Sequence, residues 1–296
     1  MKRIRLIIPY FGRLPKFFPY FLLTAKRNQK IDFLIYTDQN IDQLEILNAE
    51  NIEFKTLSFD DLRKKVQSKF DFEISLKTPY KLCDYKVAYG FIFEEELKGY
   101  DYWGFCDTDV LLGDIYQFLE EHSFFENDYA RYGLLGHLQI FKNSREVNRV
   151  FMSGQGSYYR LDYHNVYTSE QNFIFDEAEG IQKLFEKCHF KQLQDKFFDD
   201  IDISHFSFRE YGENEPKRYY FWSEENGLES INLIDGDIVV KRPLYAHFQK
   251  RMIKCPEFKL VDSFYVIPNQ LVIGEKISKQ ELVEVTRNKL YWEYIR

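Results

Sequence analysis

The chain is poor in the residue types on which several function classes depend. It has 4 cysteines in 296 residues, and Cys83, Cys106, Cys188 and Cys255 form no C-x-x-C pair. That spacing offers no cysteine-rich zinc site and suits a reducing compartment. No apolar run reaches the roughly 18 residues of a membrane span. The opening MKRIRLIIPYFG has a basic tip but too short an apolar run before Pro9 for a signal peptide. It reads as a first strand, and the expectation is a cytoplasmic protein with no transmembrane segment, able at most to touch the inner face of a membrane. Excess positive charge is also missing. The formal net charge of -7 argues against general nucleic-acid binding, which needs a patch of lysine and arginine to neutralise phosphates. Only 6 histidines are available as metal ligands.

What is abundant is aromatic. The chain carries 29 Phe and 22 Tyr, more than surface chance requires. They fill a phenylalanine-rich core, or line a cleft where rings stack on sugars or bases; the sequence leaves both uses open. A hydrophobic share of 45% against 29% charged is that of a soluble folded protein with one sizeable core.

The apolar pattern reads as α/β. Ile4–Ile8 is a buried strand stopped by Pro9-Tyr10, Leu14–Arg27 has a helical apolar face, and Ile31–Tyr36 is a second strand ending at Thr37-Asp38. A third strand over Ile52–Leu57 and a polar helix over Asp60–Lys69 follow. Strand, helix, strand in this order, with polar residues just past each strand end, predicts a mixed, mostly parallel sheet flanked by helices. Thr78-Pro79 looks like a helix start, and one long helix is expected over Tyr80–Leu97. Further on, Tyr132–Phe141 reads as a strand, Glu170–Asp176, Glu177–Phe185 and Phe190–Phe198 as helical pieces, and Arg209–Lys217 as a mobile, highly charged loop. Tyr219–Trp222, Gly227–Leu233 and Gly236–Lys241 fit strands. A strand at FYVIP and a helix over Lys279–Ile295 close the chain.

The chemistry concentrates in YDYWGFCDTDVLLGDI, residues 100–115. Trp103, Phe105 and Cys106 build an apolar strand that ends on Asp107, Thr108 and Asp109. Two carboxylates at a strand end within apolar sequence are costly unless paired. A hard divalent cation, Mn2+ or Mg2+, keeps both ionised and can hold a diphosphate; a polar junction with Asp109 capping a turn is the plainer alternative. His247, in LYAHFQKR, offers a nitrogen to the same ion, with Lys250 near enough to hold a phosphate; a histidine among aromatics also serves packing alone. In FDEAEG, Asp176 and Glu177 form an adjacent acid pair that fits an acid–base or charge-stabilising role, or simply a helix start. His137 could touch a ligand or pack in its strand.

Together these residues resemble nucleotide-sugar-dependent glycosyltransferases of the GT-A class, of the bacterial polysaccharide-biosynthesis type, over roughly residues 4–250. The resemblance implies a GT-A-like (Rossmann-like) fold with Asp107-Thr108-Asp109 as the DxD motif, Asp107, Asp109 and His247 as metal ligands, and Lys250 on the diphosphate. It further implies that Pro9, Tyr10 and Phe11 border a uridine, that Asp38 lies near base or ribose, and that Lys81 and Asp84 belong to a donor-contacting helix. One retaining subgroup has a glycine three residues after the histidine, where this chain has Lys250. The implied layout is one domain over 1–296, with a nucleotide-binding half at 1–115, an acceptor-side half at 116–250 and a C-terminal extension at 251–296. The implied activity moves a sugar, hexose foremost, from a UDP-sugar to a glycan or lipid-linked glycan acceptor. A metal-dependent nucleotidyltransferase is a second class, disfavoured because PYFGRLPK after strand one carries a single glycine. A non-catalytic carbohydrate-binding protein is a third, and it would not need Asp107, Asp109 and His247 to converge.

Overall fold

A computed structural model describes residues 1–47, 49–157, 160–214 and 217–286. The N-terminal third follows the apolar runs. Strands β1 (Ile4–Tyr10), β2 (Ile31–Thr37) and β3 (Ile52–Thr56) lie parallel. Helix α1 (Phe18–Arg27) connects β1 to β2, and α2 (Phe59–Gln67) follows β3. α1 starts later than its apolar pattern because Pro19 sits in its first turn, where a missing N–H costs nothing. Ser58 caps α2 by accepting from the Asp61 N–H at 3.1 Å.

Strand β4 (Tyr102–Cys106) is buried along its whole length and pairs parallel with β1. The chain then leaves this sheet: Asp107 to Asp109 form the bend, and β5 (Val110–Leu112) belongs to another sheet. Strands β6 (Arg131–Tyr132), β7 (Leu138–Lys142) and β8 (Gln192–Leu193) complete a seven-stranded sheet in the order β3-β2-β1-β4-β7-β6-β8. Strands β9 (Asp199–Asp200) and β13 (Tyr245–His247) join β5 in a three-stranded sheet. Strands β10 (Lys217–Ser223), β11 (Gly227–Ile234), β12 (Asp237–Lys241), β14 (Ser263–Ile267) and β15 (Gln270–Ile273) form a third, wholly antiparallel sheet, ordered β12-β11-β10-β14-β15. The expectation of one mostly parallel sheet is thus corrected to a mixed α/β fold with three sheets. One apolar cluster runs from Ile4 through Phe118 and Trp222 to Leu271 and joins all three.

Four local expectations change. The segment 79–92 is not one helix but short turns, 3-10 at Pro79–Lys81 and Lys86–Ala88 and α-helical at Leu82–Tyr85 and Tyr89–Ile92. Tyr85, Val87, Ala88, Tyr89 and Ile92 are all buried, so the segment packs as part of the core rather than as a surface helix. A Cβ on Gly90 would come within 2.5 Å of the Trp103 indole, so the glycine lets the segment lean on β4. The expected strand 132–141 splits at Gly133, whose φ of 141° bends the chain, leaving His137 in the loop before β7. Residues 190–198 carry β8 rather than a helix, and 170–176 are irregular, held by hydrogen bonds to Asp84. The last expected helix appears as Lys279–Val285, with Ser278 and Glu281 forming a capping box; its continuation past residue 286 lies outside the described residues. Among the described residues no helix is long and apolar enough to cross a membrane.

Candidate metal site

Strand pairing brings the acid pair and the late histidine together. β13 runs antiparallel to β5 with His247 opposite Val110, the residue after Asp109. The Phe248 N–H donates to the Asp109 carbonyl at 3.0 Å. Gln249 and Lys250 then take left-handed φ values of 49° and 59°, a costly turn for non-glycine residues. It aims the Lys250 N–H at Asp109 Oδ2, 2.7 Å away. His247 Nε2 lies 3.6 Å from Asp109 Oδ1. One donor atom each from Asp107, Asp109 and His247 falls within 4.8 Å of the others.

The imidazole is held from behind. β9 pairs parallel with β13 and sets Asp200 beside His247; His247 Nδ1 lies 2.8 Å from Asp200 Oδ1. The Gln249 amide donates to the same oxygen at 2.8 Å. With Nδ1 bonded to Asp200, Nε2 is the nitrogen left facing Asp109, the arrangement by which a carboxylate orients a metal-binding histidine. The His137 ring packs on that of His247, with centroids 3.5 Å apart, and its buried Nδ1 has no hydrogen-bond partner among the described residues. His137, Asp200 and His247 form a second buried group whose ligand atoms lie within 4.8 Å of one another.

A lysine links this cluster to the second acid pair. Lys86 Nζ donates to Asp107 Oδ1 at 2.7 Å and to the Gly136 carbonyl at 2.8 Å, and lies 3.2 Å from Asp176 Oδ2. Gly136 is required here, since a Cβ would stand 2.3 Å from Asp176 Oδ2. Asp176 is buried and Glu177 half-buried. Neither is part of a regular α-helix start; Glu177 precedes an irregular turn whose Gly180 leaves helical geometry.

The electrostatics follow from this crowding. Burial pushes the Asp176 carboxyl up to about 7, with Lys86 opposing and Asp107 and Glu177 adding to the rise. Burial likewise raises Glu177. Burial works against the Asp109 carboxylate, yet His247 and the Lys250 N–H outweigh it and hold Asp109 well below the ordinary range. Burial also opposes charge on His247, but Asp109 and Asp200 overcome it and lift the imidazole to about 9. His137 goes the other way, down to about 4, through burial and then the neighbouring His247.

The remaining predicted positions are distributed around this cluster. Thr108 is buried between the two aspartates. Pro9 and Tyr10 end β1 and Phe11 follows it. The Tyr10 ring packs on Phe18 and that of Phe11 on Phe59. Burial and then the Asp109 carboxylate raise the Tyr10 hydroxyl, so Tyr10 is close to the acid pair. Asp38 ties the ends of β1 and β2 by accepting from the Gly12 N–H at 3.0 Å. Lys250 contributes its backbone N–H to Asp109, while its ammonium stands 4.4 Å from the Tyr80 ring centroid.

Lys81 and Asp84, expected on a donor-contacting helix, pair with each other and with the main chain. Lys81 Nζ binds Asp84 Oδ2 at 2.7 Å and the Val166 carbonyl at 3.0 Å, and also the Gln171 carbonyl. Asp84 accepts from the N–H groups of Phe173 and Phe175. Both side chains are buried and spend their polar atoms on holding residues 166–175. Within the charged loop 209–217, Glu210 and Glu213 both pair with the buried Arg218 guanidinium, while Tyr211 is exposed.

Sequence reasoning missed Lys86, Asp200 and Gln249. Lys86 looked like one polar position in a helix, and Asp200 lies in a two-residue strand with no periodic signal. A buried-acid cue was available in FFDDID, residues 197–202, where two adjacent aspartates follow aromatics.

Residues 6–275 match the model of a family described as "Family of unknown function (DUF6625)", and the chain belongs to that family. No curated protein matches it. Solved structures with partial likeness include the apo-form glycosyltransferase GlyE of Streptococcus pneumoniae TIGR4, 11% identical over 67% of this chain and 46% of that one, with a TM-score of 0.36. Mouse xyloside xylosyltransferase 1, apo form, is 10% identical over 68% of this chain and 88% of that one, TM-score 0.34. Core-mannan synthase A of Aspergillus fumigatus, in an Mn/GDP form, is 11% identical over 46% of this chain and 42% of that one, TM-score 0.27. The chain thus spans less than half the length of the first of these. Likeness this slight leaves function to be argued from the residues of the site.

Proposed function

We propose that this member of a family of unknown function is a metal-dependent glycosyltransferase with a GT-A-like nucleotide-binding half. It moves a sugar from a nucleotide diphosphate, UDP foremost, to a hydroxyl of a glycan or lipid-linked glycan. The observation that carries the reading is the convergence of Asp107, Asp109 and His247 at the end of β4, with Asp176 and Glu177 joined to them through Lys86. Two carboxylates and an imidazole held by a buried carboxylate fit Mn2+ or Mg2+. The surplus of acid supports the fit: Asp107, Asp109, Asp176, Glu177 and Asp200 share Lys86 and His247, with His137 beside His247 and the buried Arg131 also acting on Asp176.

Asp107, Asp109 and His247 Nε2 would hold the cation, which when bound offsets the charge growing on the leaving diphosphate. Asp200 keeps His247 Nε2 directed at Asp109. Thr108 and the β1 end at Pro9, Tyr10 and Phe11, with Asp38 beyond, are assigned to the nucleotide side. Lys250 is assigned to the diphosphate, its side chain leaving Tyr80 to reach it. Asp176 or Glu177 faces the transferred sugar: as a base it takes the acceptor proton, and as a carboxylate it steadies positive charge on the sugar.

Calorimetric titration of Mn2+ into the chelated protein, with and without UDP, tests the reading. Asp109→Asn should lose Mn2+ affinity by at least roughly 100-fold, more than the loss of an outer partner costs, and remain folded. Absence of Mn2+ and Mg2+ binding by the native chain overturns the metal reading. A guanosine or cytidine diphosphate raising the melting temperature more than UDP overturns the choice of donor.

A further inference from the structure

The antiparallel sheet ends in a strand whose exposure is unusual for its composition. β12 reads Asp-Ile-Val-Val-Lys, and all five residues are exposed. Ile238, Val239 and Val240 are 44%, 36% and 46% accessible. An apolar edge strand left open is a template for pairing with another chain, and proteins ordinarily blunt such edges with charge, proline or bulges. Here the three central residues carry none of these.

The hairpin fixes which backbone groups face outward. β11 and β12 join through Asp235 and Gly236, with φ of 49° and 90° and Ile234 opposite Asp237. This is the two-residue turn with both φ positive, the type I′ hairpin. Its closing pair exchanges hydrogen bonds, and the alternation of an antiparallel ladder then turns Asp237, Val239 and Lys241 toward β11. The N–H and C=O groups of Ile238 and Val240 point to the open edge. Their side chains share a face with Leu233 and Ile231, their partners on β11, which belong to the small apolar cluster around Tyr219, Phe221 and Leu282.

We propose that β12 is a self-association strand that pairs antiparallel with β12 of a second copy about a two-fold axis at Val239. In that register Ile238 of one copy lies opposite Val240 of the other, so the outward-facing backbone groups meet each other. Asp237 lies opposite Lys241 at both ends, so the strand is complementary to itself in charge as well as in hydrogen bonding. Registers one step either way leave Lys241 or Asp237 opposite Val239, and the only acid then brought opposite Lys241 is Asp235, in the turn rather than in the strand. The two five-stranded sheets become one continuous sheet, and the exposed Ile238 and Val240 of both copies extend the apolar face on one side. A C2 contact of this kind is isologous and closes at two copies.

Register-specific cross-linking in the full chain tests this. Across the axis Val239 meets its own equivalent as a non-hydrogen-bonded pair, at a Cα separation of about 4.5 Å, within disulfide reach. Val239→Cys should therefore yield a covalent dimer on mild oxidation, above the background of the unsubstituted protein with its native cysteines. Asp237→Cys should not, because its equivalents lie at opposite ends of the paired strands. By sedimentation, Lys241→Glu should weaken dimerisation roughly tenfold or more, since both end pairs become repulsive, and Asp237→Lys combined with Lys241→Asp should restore it. A native chain that stays monomeric at all concentrations, with Val239→Cys unlinked, overturns the proposal. So does a chain that dimerises only when truncated after Thr286, which would assign the edge to its own C-terminal residues. Equal cross-linking at 237 and 239 would reject the register. Metal and nucleotide binding are read separately, so these outcomes are independent of the proposed transfer activity.

Discussion

Lys81 and Lys86 lie five residues apart on one segment, both lean on aspartates, and their surroundings differ in one respect. Around Lys81 the circuit closes. Its ammonium meets Asp84 and two carbonyls, and Asp84 meets main-chain N–H groups of Phe173 and Phe175. Around Lys86 it does not close. One ammonium is shared between Asp107 and Asp176, and Asp109, Glu177 and Asp200 lie beyond with His247 as the next base. A buried charge with fixed chain partners is architecture. A cluster in which acids outnumber bases, next to an imidazole nitrogen of His137 with no hydrogen-bond partner among the described residues, is compatible with metal coordination.

The largest separation between the two lysine environments should appear in transfer. Asp176→Asn is isosteric, keeps Lys86 supplied with an oxygen acceptor, and removes the carboxylate proposed to face the sugar. Sugar transfer should fall by about 10²–10⁴-fold, the range for losing a general base, while Mn2+ affinity by calorimetry is retained. Glu177→Gln is the matched variant. Near-native rates for both would remove the pair from catalysis and leave Lys86 as a second structural lysine.

On the Lys81 side the effect should be on stability alone. Asp84→Ala strands a buried ammonium and leaves two N–H groups without an acceptor. Breaking such a pair costs about 3–5 kcal/mol, read as a lower urea midpoint at unchanged slope. Mn2+ affinity of the remaining folded protein should equal that of the native chain. A loss of metal binding larger than the loss of folded protein would return Asp84 to the site.

The contrast also explains what could be read from the sequence. β1 to β4 and α2 were visible because buried runs end at turn residues, and Asp107 and Asp109 announced themselves by interrupting such a run. Lys81, Asp84 and Lys86 could not be sorted in advance. All three were assigned to helical sequence, and their roles depend on residues 107, 136 and 166–176, which only tertiary packing brings near. His137 was misplaced for the same reason: the apolar alternation of YGLLGHLQIF conceals the bend at Gly133 and the close approach at Gly136. Asp200 carried almost no local signal, because its strand is two residues long and its meaning comes from parallel pairing with His247.

Acid–base titration of the metal-free protein should sharpen the comparison further. The folded pKa of His247, about 9, exceeds its ordinary value of 6.5. Its pairing with Asp109 and Asp200 therefore stabilises the fold fully below pH 6.5, and that contribution is lost as pH rises through about 9. A rise of this size corresponds to roughly 3 kcal/mol. Asp176, raised to about 7, loses its share earlier, as pH climbs from the ordinary carboxylate range to about 7, so its window closes as that of His247 opens. Denaturant midpoints measured across pH in chelator should fall in both windows for the native chain, and only in the lower one for His247→Gln. A flat profile above pH 7 would contradict the pairing.

The smallest effect concerns the residue behind the histidine. Asp200→Asn keeps the shape of the side chain and an oxygen that can accept the His247 Nδ1 hydrogen, but removes the negative charge that makes Nε2 a stronger ligand. It also lets the amide turn its NH2 group toward Nδ1, which would favour the wrong tautomer. Removing outer partners of this kind costs about 10–100-fold in metal affinity, less than removing Asp109 itself. Mn2+ titration should show that loss, and the His247 ring resonance of the chelated protein should titrate at lower pH than in the native chain. Asp84→Asn, which removes the same charge from the closed circuit around Lys81, should shift neither reading. If Asp200→Asn lowers the His247 pKa and leaves Mn2+ affinity unchanged, the carboxylate stabilises the protonated ring alone, and His247 is not a ligand.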